Sequence, residues 1–124
     1  MGVPMIAVIE VNPMLRLLMD EILTEATYET QLWLNDEPPL NFIQRHQPDL
    51  VILELWLGSR GEGLALLLQL RCNPDTTHIP LIVCSSDVYM LQEQAALLRL
   101  VGCEILVKPF NVAELCAKIA RLVQ

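Results

Sequence analysis

Basic residues are scarce in this chain. It carries 8 Lys and Arg against 15 Asp and Glu, a formal net charge of −7, and no run of basic residues. Phosphate backbones are met by clustered Lys and Arg, so no direct nucleic-acid partner is expected. Long apolar runs are missing as well. Although 53% of the residues are hydrophobic, no run approaches the roughly 18 residues of a membrane span. The amino terminus lacks the charged start and cleavage pattern of a signal peptide, and the expected location is cytoplasmic with no membrane contact. The four cysteines, Cys72, Cys84, Cys103 and Cys116, form no C-x-x-C pair and have no metal-ligand spacing. Each lies in an apolar context, where a free thiol behaves as a small hydrophobe. Histidine is limited to His46 and His78, neither of them near an acid that ends a strand. A zinc site and a hydrolytic enzyme are both unexpected, and the chain is read as a non-enzyme.

What is present is organised around Asp49–Leu57, DLVILELWL. Leu50 to Leu53 run without alternation and then meet one carboxylate, Glu54. A short continuous apolar run reads as a strand buried on both faces, which implies a parallel sheet covered by helices. Glu54 would then sit at the carboxyl end of a central strand, the edge where ligands and chemistry collect in open α/β sheets.

The remaining chain repeats the pattern. Met5–Glu10 reads as a first buried strand, also ending in an acid. Asn12-Pro13 opens a helix, Asn as N-cap and Pro at the first helical position. Met14, Leu15, Leu18, Ile22 and Leu23 follow at helical spacing as its apolar face, with Arg16, Asp20, Glu21 and Glu25 elsewhere. Tyr28–Leu34 suggests an edge strand, and Asp36-Glu37-Pro38-Pro39 starts a short helix to about His46. After Leu57 the stretch Gly58-Ser59-Arg60-Gly61-Glu62-Gly63 is a loop leading to a helix over Leu64–Arg71. Leu81–Cys84 is a fourth strand ending in Ser85-Ser86. One helix is expected over Asp87–Val101, stopped by Gly102 as a C′ glycine. Glu104–Val107 is the last strand, ending in Lys108-Pro109-Phe110. Asn111 and Glu114 form a variant capping box, Phe110 and Leu115 a hydrophobic staple, and Glu114 and Lys118 an i, i+4 pair. Five strands alternating with five helices give a doubly wound parallel sheet in a single domain over residues 1–124, with no output domain.

Glu10, Glu54, Ser85 and Lys108 therefore share one rim of one sheet: two acids, a hydroxyl and an ammonium. With Ile9–Pro13 (IEVNP), Leu50–Trp56 (LVILELW), Val83–Ser86 (VCSS) and Val107–Phe110 (VKPF), the sequence resembles the receiver domain of response regulators over nearly its whole length. The resemblance implies a flavodoxin-like fold with strand order 2-1-3-4-5. It also implies a role in phosphorelay signal transduction, where an aspartate at the central strand's end takes a phosphoryl group from a sensor histidine kinase and nearby acids hold Mg²⁺. On this resemblance Glu54 stands at the phosphoacceptor position and Glu10 belongs to the acidic pocket. Ser85 and Lys108 would be the phosphoryl contacts, and the Lys108–Pro109 bond would be cis. Ser85 and Ser86 read equally well as caps of the following helix, and Trp56 as a hydrophobe anchoring its loop.

Two departures matter. Position 54 is Glu where the family has Asp, and Val11 stands where it has a second metal-binding acid. The oxygen donors left for a cation are Glu10, Glu54 and the Trp56 carbonyl, so no metal or other cofactor is expected. Two carboxylates facing one ammonium also lets Glu54, one methylene longer than Asp, reach Lys108 itself. The favoured reading is an atypical receiver acting as a protein-interaction module. Its partners would be signalling proteins, either a sensor histidine kinase or a downstream effector. The alternatives are a working receiver phosphorylated on Glu54 and a small-ligand binder on the flavodoxin-like rim. The leucine excess over Leu91–Val101, with the family's use of that face, points to self-association through the last two helices and the strand between them.

Overall fold

Three sequence runs without alternation become the three inner strands of one parallel sheet in the computed structural model, which describes residues 2–59 and 61–123. They are β1 (Met5–Ile9), β3 (Leu50–Glu54) and β4 (Leu81–Ser85); β2 (Glu29–Leu32) and β5 (Glu104–Val107) form the edges. The order is β2-β1-β3-β4-β5, all pairs parallel. This is the flavodoxin-like arrangement that the strand pattern and the resemblance imply. The inner strands need apolar residues on both faces because helices cover both. On one side α2 (Pro39–His46), α3 (Glu62–Cys72), α4 (Val88–Glu93) and α5 (Ala95–Val101) close a core that includes Ile9, Val51, Leu53 and Val83. On the other, α1 (Pro13–Glu25) and α6 (Val112–Leu122) close a second one around Val8, Ile52, Ile82 and Leu106. Among the described residues no helix is long and apolar enough to cross a membrane.

The helix boundaries follow local chemistry. Asn12 Oδ1 accepts from the Met14 and Leu15 amides, and Pro13 takes the first helical position. Asn111 Oδ1 accepts from the Glu114 amide at 2.7 Å, and Phe110 and Leu115 both join the second core. Gly102 ends α5 in the left-handed region at φ 76°.

Three expectations are corrected. The single helix over Asp87–Val101 is two helices, α4 and α5, parted at Gln94, so the described residues form six helices rather than five. The break lets Met90 and Leu91 on one segment and Leu98 and Val101 on the other face the same core. Lys118 turns to Glu104 on β5, at 3.7 Å, rather than to Glu114 one turn away; Arg121 also bonds Glu104. The apolar face of α1 is the expected one only in part: Leu23 is buried and Ile22 packs against the second core. Arg16 and Leu23, two turns apart, mark its buried side, while Met14, Leu15, Leu17 and Leu18 are exposed. The helix is turned so that the Arg16 guanidinium donates to the Val11 carbonyl at 3.3 Å.

Candidate functional site

Parallel register places the rim groups. Ile9 pairs with Leu53, so Glu10 and Glu54 follow side by side at the ends of β1 and β3. Glu54 is level with Cys84 on β4, and Ser85 is level with Val107 on β5. Lys108 follows Val107, tied down by its amide donating to the Ser85 carbonyl at 2.9 Å. From there its ammonium spans β4 and donates to both acids: Nζ lies 2.9 Å from Glu54 Oε1 and 3.1 Å from Glu10 Oε1. The second Glu10 oxygen accepts from the Asn12 amide at 3.1 Å. The second Glu54 oxygen, Oε2, is buried and has no hydrogen-bond partner. Leaving a buried acceptor unmade is the costly half of hydrogen-bond energetics, so the cluster is short of one donor. The side chains of Glu10, Glu54 and Lys108 are only 10%, 13% and 20% exposed. Solvent therefore screens them far less than it would a surface pair.

Burial pushes the Lys108 ammonium toward neutrality. The hydrogen bond and charge of Glu54, then those of Glu10, outweigh it and leave its pKa above the ordinary 10.5. Cys84 lies beneath the cluster. Burial pushes its thiol up to about 12, with Lys108 pulling the other way and the two acids adding to the rise. A thiol held there is protonated at neutral pH and inert as a nucleophile.

The other expected rim residues are placed as follows. Ser85 is buried, and its Oγ accepts from the Asp87 amide at 3.0 Å. Asp87, not either serine, caps α4 by accepting from the Met90 amide. Trp56 does not anchor its loop: it is half exposed, while Leu55 and Leu57 on either side are buried. That alternation puts the tryptophan on the outer face. The Lys108–Pro109 peptide is cis. Val11 supplies no side-chain oxygen. Among the described residues there is no group of three or more His, Cys, Asp or Glu side chains able to hold a metal ion.

Beside the cluster the sheet is not fully covered. A cavity of about 610 Å³ opens between α1 and the β5–α6 connection, with Glu10, Glu54 and Lys108 at its polar end. Its walls include Leu15, Leu18, Ile22 and Phe110. Sequence reasoning missed this space, because it read Leu15 and Leu18 as part of one apolar helix face. The one available signal was the seven-residue interval from Arg16 to Leu23.

Residues 6–120 match the family described as the response regulator receiver domain. The chain is 26% identical over 126 residues to the transcriptional regulatory protein BaeR of Escherichia coli O6:H1, covering 98% of this chain and 48% of BaeR. It spans about half the length of the curated relatives it matches. Among solved structures, the receiver domain of NtrX from Brucella abortus is 28% identical with a TM-score of 0.80, covering 95% of this chain and 97% of that one. The receiver domain of the sensor histidine kinase PA1611 from Pseudomonas aeruginosa PAO1 is 20% identical with a TM-score of 0.81, covering 98% of both chains. That structure has a magnesium ion coordinated in its active-site cleft.

Proposed function

The chain belongs to the response regulator receiver domain family, and on that premise we propose that it is a two-component signalling module whose state is not set by ordinary aspartyl phosphorylation. Residues 1–124 would act as one non-enzymatic unit in the cytoplasm, passing a signal by contact. Receiver domains work with histidine kinases and effectors, so the expected partners are proteins of those two kinds.

The double contact of Lys108 carries this reading. The ammonium is already held by Glu54 and Glu10 at hydrogen-bond distance, a pairing that replacement of Asp by the longer Glu favours. A reactive oxygen displaced by roughly an ångström can cost about 10²-fold in rate. The donor set also suits Mg²⁺ poorly. That ion demands near-octahedral oxygen ligands, yet Val11 contributes only a carbonyl, which Arg16 engages. On this reading Glu54 and Glu10 are ligands of Lys108 and not of a metal. Ser85, with its Oγ turned to the Asp87 amide, shapes the loop.

Incubation with acetyl phosphate and Mg²⁺, followed by intact mass measurement, tests the reading. The expected result is no mass gain in the natural chain. Gain of one phosphoryl group is expected when Val11→Asp and Glu54→Asp are combined. A phosphoryl gain in the natural chain, lost on Glu54→Gln, would overturn the proposal.

A further inference from the structure

We propose that the cavity between α1 and the β5–α6 connection is a binding site for an amphipathic amine, a cationic head on an apolar body. The inference goes beyond the phosphorylation reading but rests on its premise that Glu10 and Glu54 hold Lys108 and not a metal; amine binding and phosphoryl acceptance are measured separately, so the two can fail separately.

The volume, about 610 Å³, lies within the range of small-molecule sites, which are mostly apolar with a few convergent polar groups. Here the apolar part is Leu15, Leu18, Ile22 and Phe110, and the polar groups gather at one end as Glu10, Glu54 and Lys108. Three of the exposed leucines of α1 are otherwise unexplained: Leu15, Leu17 and Leu18 are 41%, 59% and 52% accessible. Two of these, Leu15 and Leu18, face the cavity, where an apolar body would cover them.

The polar end selects the sign of the head group. Two carboxylates against one ammonium leave it one net negative charge, so a carboxylate or phosphate head would be repelled. The acids also hold one oxygen, Glu54 Oε2, that no donor meets. A Glu carboxylate turns about a soft terminal torsion, and the turn that brings Oε2 toward the cavity draws Oε1 off Lys108, so an incoming ammonium shares the acids with Lys108. An ammonium supplies both the missing charge and the missing donor. A small inorganic cation would answer the charge but leave the leucines uncovered.

The test titrates the whole chain with phenylbutylamine and follows amide chemical shifts. Phenylbutyrate (same body, opposite charge) and ethylamine (head without body) serve as comparisons. Saturable binding of phenylbutylamine is expected, with shifts at Leu18, Cys84 and Phe110, and binding of each comparison compound at least about tenfold weaker. Leu18→Arg, at an exposed position, brings a positive charge to the wall, and Glu54→Gln removes the net charge of the polar end. Each should weaken the amine by about tenfold or more. Equal affinity for amine and carboxylate would reduce the cavity to an unselective apolar groove. Equal affinity for ethylamine would reduce it to a bare charge site. No saturation by millimolar amine, or binding that both substitutions leave intact, would also overturn the proposal.

Discussion

Burial works against the Lys108 ammonium, and Glu54 and Glu10 oppose it. Their combined pull leaves its pKa above 10.5. Below it Cys84 is pushed the same way, from 9.0 to about 12, by its own burial. Cys103 is raised too, again chiefly by burial. All three bind their protons more tightly in the folded chain than in the unfolded one. The stability they contribute is therefore fully present below the unfolded pKa values and is lost as pH rises through the folded ones. For Cys84 that window runs from 9.0 to about 12, and for Lys108 it begins at 10.5. Denaturant midpoints should stay level through neutral pH and fall once the pH passes 9.0. In Cys84→Ala the early part of that fall should shrink while the later part, owed to Lys108, persists. A natural chain with the same midpoint at pH 8 and pH 11, on either side of the free-thiol value of 9.0, would contradict the assignment.

At the scale of elements, the rim depends on how closely α3 approaches the end of β3. A Cβ added at Gly63 would lie 2.1 Å from the Leu55 carbonyl oxygen and 2.5 Å from its Cα, whereas one at Gly61 would meet nothing within 4 Å. Both glycines belong to the same loop-like stretch of sequence, but only one is required by contact. Gly63→Ala must force α3 away from the backbone that follows Glu54, and overpacking of that kind costs about 1–3 kcal/mol. Urea denaturation should show that loss for Gly63→Ala and almost none for Gly61→Ala; equal effects would show that loop entropy rather than contact governs this connection. The same contrast explains what was legible beforehand. Strands buried on both faces announce themselves as MIAVI, LVILE and LIVCS, because no solvent face interrupts them. The polar residues that end them are therefore legible too. Helix phase was not: α1 is apolar on more than one side, and its buried side is the one that carries Arg16 and Leu23. Neither Gly nor Pro marks the break at Gln94. The choice of Glu104 over Glu114 by Lys118 is made across space, where local spacing carries no information.

At the scale of the whole molecule, the apolar excess that the sequence places in Leu91–Val101 is divided. Leu91, Leu98 and Val101 are buried, but Leu100 is 85% exposed, and Val107 on the neighbouring edge strand is 45% exposed. β5 pairs with β4 alone in the sheet. Glu104 on the same edge strand is bound to Lys118 and Arg121 of α6, which sets charged groups at the same sheet edge as the apolar spot. Interfaces commonly combine an apolar centre with a polar rim. On these grounds we propose self-association of two copies through α5, β5 and α6. Symmetric dimers set the same patch against itself, so one substitution acts twice. Leu100→Glu would bring two like charges together at the centre while touching no core contact. Sedimentation over rising concentration should show a monomer–dimer equilibrium for the natural chain, weakened at least about tenfold by Leu100→Glu, with denaturation midpoints of the dilute monomers unchanged. A strictly monomeric natural chain at high concentration would remove the dimer. A dimer indifferent to Leu100→Glu would move the interface elsewhere, with the exposed Met14 and Leu17 of α1 as the next apolar surface to substitute.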